Sequence, residues 1–286
     1  MKAKYVNPFT DFGFKKLFGE EASKPALLDF LNALLPQARI KTLTFKNNEQ
    51  SGETADGRKV IFDIYCENEL GEKFIVELQK ARQNFFKERP IYYSTFPIRE
   101  QVEKGDWSFN LKAVYCIVIL DFTFRDYGNE PDQSKVLHEV KLKNQDGKTF
   151  YDKLTYIYLE MPNFVKSEAE LESRMDKWLY FIKYLEDFQN IPQIFKNEPI
   201  FIAALEKAEL SKFNMQEYEY YEMSLKTYRD CHNVIETTKS EAEMKGKIQG
   251  EKEATIKVAK SLKDNSIAKE IITKSTGLPD EEIEGL

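Results

Sequence analysis

The stretch AVYCIVIL, from Ala113 to Leu120, is almost uninterruptedly apolar and rich in β-branched residues. A strand with one wet face alternates apolar with polar positions, whereas a strand without polar positions is covered on both faces. The run is too short to cross a bilayer as a helix, so its cover must come from the rest of the chain. With 286 residues, of which 42% are hydrophobic, the chain has enough apolar surface for one well-buried core and a smaller appendage. The expectation is an α/β fold with this strand at its centre.

The flanking pattern supplies the other elements. Helical spacing predicts helices over Thr10–Phe18 and Pro25–Leu35, the second stopped by Pro36. Alternation predicts three consecutive antiparallel strands, Ile40–Phe45, Val60–Cys66 and Lys73–Gln79, and a helix follows from Gln83 to about Lys104. Lys135–Leu142 and Leu154–Leu159 read as two further strands, separated by the turn former Asn144-Gln145-Asp146-Gly147, so the sheet is expected to be mixed. From Ser167 onward only helices are expected: Glu168–Phe188, Pro199–Leu210 and Met215 to about Lys260.

Lys239–Lys260 has few large apolar residues and should be an exposed helix or linker. Beyond it, Ser266–Thr276 and Pro279–Leu286 form a miniature helical pair, with Gly277 as a stop and Pro279 as a start. The expected organisation is a principal domain over residues 1–235 with a helical C-terminal half, a charged helix or linker over 236–262, and a two-helix tail over 263–286.

Several function classes are disfavoured by what the chain lacks. A formal charge of −6 gives no overall field that would attract a polyanion, so any nucleic-acid contact must be local. Cys66, Cys116 and Cys231 show no paired spacing, which argues against disulfides and a zinc cluster. No apolar signal core opens the sequence, so a cytoplasmic protein without a membrane partner is expected. A Gly-rich phosphate loop is missing, as are serine and cysteine nucleophile signatures, and no nucleotide cofactor is expected. His138 and His232 stand far apart, at neither metal-ligand nor catalytic-dyad spacing.

The most informative segment is VIFDIYCENELGEKFIVELQK. A three-residue loop of Glu69, Leu70 and Gly71 pairs Asn68 with Glu72, and the register then pairs Cys66 with Phe74, Ile64 with Val76 and Asp63 with Glu77. Two carboxylates come to about 5 Å apart at Cβ on one face, with Gln79 on that face too, while Phe62, Ile64, Phe74, Val76 and Leu78 form the apolar face. Opposed carboxylates weaken a strand pair by up to about 1 kcal/mol unless a cation or proton intervenes. Mg²⁺ or Mn²⁺, which takes few carboxylates and keeps its waters, fits such a pair. A solvated hairpin edge with ordinary surface charges is the other reading, and the spacing alone leaves both open.

The order Asp63, then Glu77-Leu78-Gln79, resembles the PD-(D/E)XK nuclease motif. More narrowly, NPFTDFGFKKLFG, FDIYCENELGEKFIVELQ and ERPIYYSTFPIREQVEKG are similar to the Rpn/YhgA-like group, the PD-(D/E)XK nuclease family transposases, over about Tyr5 to Asp230. The resemblance implies a restriction-endonuclease-like αβββαβ core with a central mixed sheet and a helical C-terminal region. It also implies a DNA endonuclease, recombination-promoting or transposase-related, with Mg²⁺ or Mn²⁺ as cofactor. Asp63, Glu77 and Gln79 would be catalytic, with the metal on Asp63, Glu77 and the backbone carbonyl of Leu78.

Gln79 stands where the superfamily usually has a lysine. Glutamine can orient water by hydrogen bonds but carries no charge, and Lys80 points to the opposite face. Asp11 is a candidate additional acid or, equally, a helix cap. Lys15, Lys16, Arg89, Tyr92 and Tyr93 are candidate phosphate contacts, with solvated surface and packing as the other reading. Cutting both strands with one site per chain would call for a homodimer. A nuclease-fold binding module without useful cleavage, and a tail that serves oligomerisation, are the competing functional readings.

Overall fold

The computed structural model describes residues 3–50, 59–82, 84–102, 108–124 and 135–286. Helices α1 (Asp11–Phe18) and α2 (Lys24–Leu34) precede strands β1 (Leu43–Phe45), β2 (Glu49–Gln50), β3 (Val60–Ile61), β4 (Ile64–Asn68) and β5 (Lys73–Gln79). Then come α3 (Glu88–Arg99), β6 (Val114–Leu120), β7 (Leu137–Lys143), β8 (Thr149–Glu160) and the helices α4 (Arg174–Tyr184), α5 (Pro199–Ala208), α6 (Met215–Asp264), α7 (Lys269–Thr276) and α8 (Asp280–Gly285). A six-stranded mixed sheet has the order β1-β4-β5-β6-β8-β7. Its centre, β5, β6 and β8, is parallel, and the pairs β1–β4, β4–β5 and β7–β8 are antiparallel. This is the αβββαβ core anticipated from the sequence, with the small β2–β3 pair interposed.

Both faces of β6 are covered. Tyr115, Ile117 and Ile119 join the core built with α1, α2, α4 and α5, while Val114, Cys116, Val118 and Leu120 join a second core that includes Phe86 and Phe96. The fully apolar run therefore has the physical cause anticipated: it separates two packed layers. Trp178 of α4 centres the larger layer, packed against Phe18, Phe30, Phe181 and Phe201, with its indole N–H donating to Asp29 at 2.7 Å.

The hairpin loop follows the expected register, with Asn68 N–H on the Glu72 carbonyl and Gly71 at φ +79°. Ladder pairing runs from Glu67–Lys73 to Ile64–Val76. Upstream, the expected single strand Val60–Cys66 is broken. Val60–Ile61 pairs with Glu49–Gln50, Phe62 N–H donates to the Asn48 carbonyl, and the chain bends at Asp63 before β4 begins. The bend moves Phe62 to the α3 side, where it meets Tyr65, Tyr93 and Phe96, instead of sharing a face with Ile64.

Other boundaries shift for local reasons. Thr10, not Asp11, caps α1, accepting the Gly13 N–H at 3.0 Å. Ile40 is tied through its backbone to the Asn32 side chain, so β1 starts only at Leu43. The helix expected from Glu168 begins at Arg174, because Ser173 and Asp176 form a capping box there. α3 ends at Arg99, and the expected extension to Lys104 reaches residues outside the described ones.

Gly13 carries a steric requirement. A Cβ there would sit 2.2 Å from the Asn7 carbonyl oxygen and 2.7 Å from Thr10 Oγ1. Gly13→Ala is therefore expected to destabilise by about 1–3 kcal/mol through overpacking, despite the gain of about 1 kcal/mol that alanine brings inside a helix. Urea denaturation checks this, and an unchanged midpoint would count against the close approach.

The chain divides into two compact units, Met1–Arg229 and Asp230–Leu286. Within the second, Ala259, Ile272, Leu278 and Ile283 form a small core, Gly277 closes α7 at φ +71°, and Lys263 donates to the carbonyls of Ile283 and Glu284. Among the described residues no helix is long and apolar enough to cross a membrane.

Candidate active site

β5 alternates between the two layers, so Ile75 and Glu77 follow one another on the α3 side. The ladder with β4 stops at Ile64–Val76, one residue short of pairing Asp63 with Glu77. The bend brings the two acids together by another route. The Asp63 backbone N–H donates to Glu77 Oε1 at 3.1 Å, and the Leu78 N–H donates to Asp63 Oδ2 at 2.8 Å. Asp63 thus clasps β5 through both its backbone and its side chain.

Glu77 is 2% exposed, and its other oxygen, Oε2, accepts from the Arg89 guanidinium at 3.3 Å. Arg89 also lies over the Tyr93 ring, 5.0 Å from its centroid. Burial first, and the neighbouring Asp63 charge second, hold the Glu77 carboxyl well above the usual range, while Arg89, the Asp63 N–H and Lys15 oppose the shift. Asp63 is raised as well, mainly by burial. The Leu78 N–H, Lys15 and Arg89 pull it down, and Asp11 pushes it up. Helix α1 therefore brings Asp11 and Lys15 into electrostatic range of the pair. These two side chains bond each other at 2.9 Å.

Lys16 is committed elsewhere, to Glu217 at 2.6 Å and Glu20 at 3.2 Å. Gln79 is buried, and its carbonyl accepts from the Asp121 N–H at the end of β6. Gln79, Arg89, Tyr92 and Tyr93 line an open pocket of about 690 Å³. Lys59, Ile61, Asn84, Phe85 and Phe86 complete most of its wall, and none of these was singled out from the sequence. The adjacent aromatic pair Phe85-Phe86, placed just ahead of α3, was the available signal.

The donor set suits a hard divalent cation. Gln79 directs its carbonyl at the β6 side, so Leu78 directs its N–H and carbonyl at the opposite edge, where Asp63 lies. Two carboxylates and that carbonyl are oxygen donors of the kind that Mg²⁺ and Mn²⁺ prefer. Among the described residues no group of three or more histidine, cysteine, aspartate or glutamate side chains is gathered for a metal. A cation here would keep much of its water.

No curated protein and no solved structure matches the chain. The family model described as PD-(D/E)XK nuclease family transposase matches residues 8–238, well over half of the sequence. With a central mixed sheet, the αβββαβ order and Asp63 and Glu77 clasped beside Gln79, the chain belongs to the PD-(D/E)XK nuclease family transposases and is nuclease-like.

Proposed function

We propose that the chain is a divalent-metal-dependent endonuclease that hydrolyses phosphodiester bonds in DNA, in transposase- or recombination-related processing. The observation that carries this reading is the clasped pair of acids, Glu77 buried and Asp63 half-buried, with the Asp63 N–H on one Glu77 oxygen and Arg89 on the other, and with Lys15 and Arg89 as the nearby opposing charges. Like charges brought together out of water cost stability, and a cation site is the arrangement that makes such a cost useful.

Asp63, Glu77 and the Leu78 carbonyl would hold Mg²⁺ or Mn²⁺, which when bound supplies a water of lowered pKa and polarises the phosphate. Gln79 positions the attacking water through its amide but does not take its proton. Arg89, freed from Glu77, offers a planar fork for a phosphate oxygen. Lys15 adds positive potential from α1, and Asp11 holds Lys15 in place.

The test is nicking of supercoiled plasmid by the full chain in Mn²⁺ or Mg²⁺, with reversal by EDTA. Conversion to the open circle only with metal is expected, and no nicking in either metal would remove the reading. Gln79 in the lysine position favours a second reading, a nuclease-fold protein that binds DNA with little cleavage. Calorimetry with Mn²⁺ separates the two, since an absence of metal binding belongs to the second alone.

A further inference from the structure

The pocket beside the acid pair has features that phosphodiester hydrolysis alone does not require. Phe85 adopts φ +66°, a left-handed conformation that is costly for a bulky side chain. Its carbonyl accepts the N–H groups of Glu88 and Arg89, which fixes the start of α3. Glycine or asparagine would serve that backbone with less strain. Yet the position carries a phenyl ring that is 74% exposed and gains almost nothing from packing. Strain retained together with an exposed aromatic at the rim of a cleft is a functional signature.

Around this ring stand other half-open apolar faces. Tyr92 and Ile61 are each about half exposed, and both line the same pocket. Gln79 and Asn84 supply amide groups, each able to donate and accept. Arg89 reaches from the pocket wall to Glu77 and so joins the pocket to the acid pair. Lys59 is engaged by Glu49 in an exposed pair of little strength. Glu88 also lines the wall and keeps the pocket from being strongly cationic.

We propose that this pocket seats one unpaired nucleotide next to the scissile bond, so that the substrate is DNA with single-stranded character. The volume of about 690 Å³ lies within the range of about 300–1,000 Å³ typical of small-ligand pockets. Aromatic and aliphatic walls meet the faces of a base, the amide of Asn84 meets its edge, and Arg89 meets its phosphate. In a duplex the base faces are already covered by stacking, and only an unpaired base offers them. A chain of net charge −6 is poorly suited to hold a duplex by its backbone. Stacking supplies affinity without requiring a basic surface.

The inference rests on the nuclease reading for its chemistry but not for its binding, and the experiment separates them. Fluorescence anisotropy of the full chain in EDTA compares a labelled mixed-sequence single strand with its blunt duplex. The single strand is expected to bind at least about tenfold more tightly. Phe85→Ala and Tyr92→Ala should each weaken it by about 5- to 150-fold, the range that loss of one stacked base implies. Phe85→Trp should retain binding. Phe85→Gly, which relieves the backbone strain, should bind as weakly as Phe85→Ala although its fold is undisturbed. Equal affinity for single strand and duplex, or an undiminished Phe85→Ala, overturns the pocket assignment even where plasmid nicking persists. The expected binding pattern without nicking would leave the pocket standing and remove only the nuclease reading.

Discussion

Glu77→Gln is expected to lower metal-dependent nicking by about a thousandfold or more while leaving the protein folded. Stabilisation of transition-state charge by a bound cation is worth several kcal/mol, and each 1.36 kcal/mol is about tenfold in rate. Glutamine keeps the volume of Glu77 and an oxygen for the Asp63 N–H, so the clasp with β5 has no reason to open. Asp63→Ala should lose as much activity but also some stability, because it leaves the Leu78 N–H without its acceptor. Plasmid nicking at saturating Mn²⁺ reads the rate, and circular dichroism reads the fold. Activity in Glu77→Gln within tenfold of wild type would remove Glu77 from the catalytic assignment.

The same substitution should act in the opposite direction on the metal-free protein. Both acids have carboxyls raised by burial, Glu77 further by the Asp63 charge and Asp63 by Asp11, against the pull of Lys15 and Arg89. A carboxyl raised in the folded state binds protons there that the unfolded chain has already released. Its contribution to stability is therefore complete in acid and is lost as pH rises from the ordinary carboxylate range past neutrality. In EDTA, the wild-type melting temperature should fall across that window, and Glu77→Gln should flatten the fall. Mn²⁺ at about 100 times its dissociation constant should restore about 2.7 kcal/mol, or roughly 5–10 °C for a unit of this size. The gain should grow with pH, because binding displaces protons. A wild-type melting temperature as flat as that of Glu77→Gln would contradict the raised Glu77 carboxyl.

Features decided by neighbours in sequence were readable before the fold was known. The apolar run of β6 announced two covered faces, Gly71 set the hairpin register through a left-handed turn residue, and Gly277 marked the end of α7. The bend at Asp63 was not readable, because alternation continues through it in the sequence. What turns Phe62 over is the aromatic surface of α3, with Tyr93 and Phe96 at 5.3 and 6.2 Å, and the bonds that Asp63 finds on β5. Hence the acids were anticipated as cross-strand partners and meet instead through a clasp. The α1 cap illustrates the same limit: Thr10 and Asp11 are both competent, and the Asn7 and Gly13 backbones select Thr10. The rim at Phe85 depends on a backbone conformation that no residue pattern announces.

The hydrogen bond between Arg89 and Glu77 places a guanidinium where the proposed ion would supply its charge. A cation bound at the proposed site would have to displace a charge already seated, so its grip would be the difference between two attractions and not the whole of one. Half-occupancy would then need more free metal than the oxygen donors alone would require. On that reading a newly made chain would finish folding around its own arginine, and competence to cut would follow the exchange.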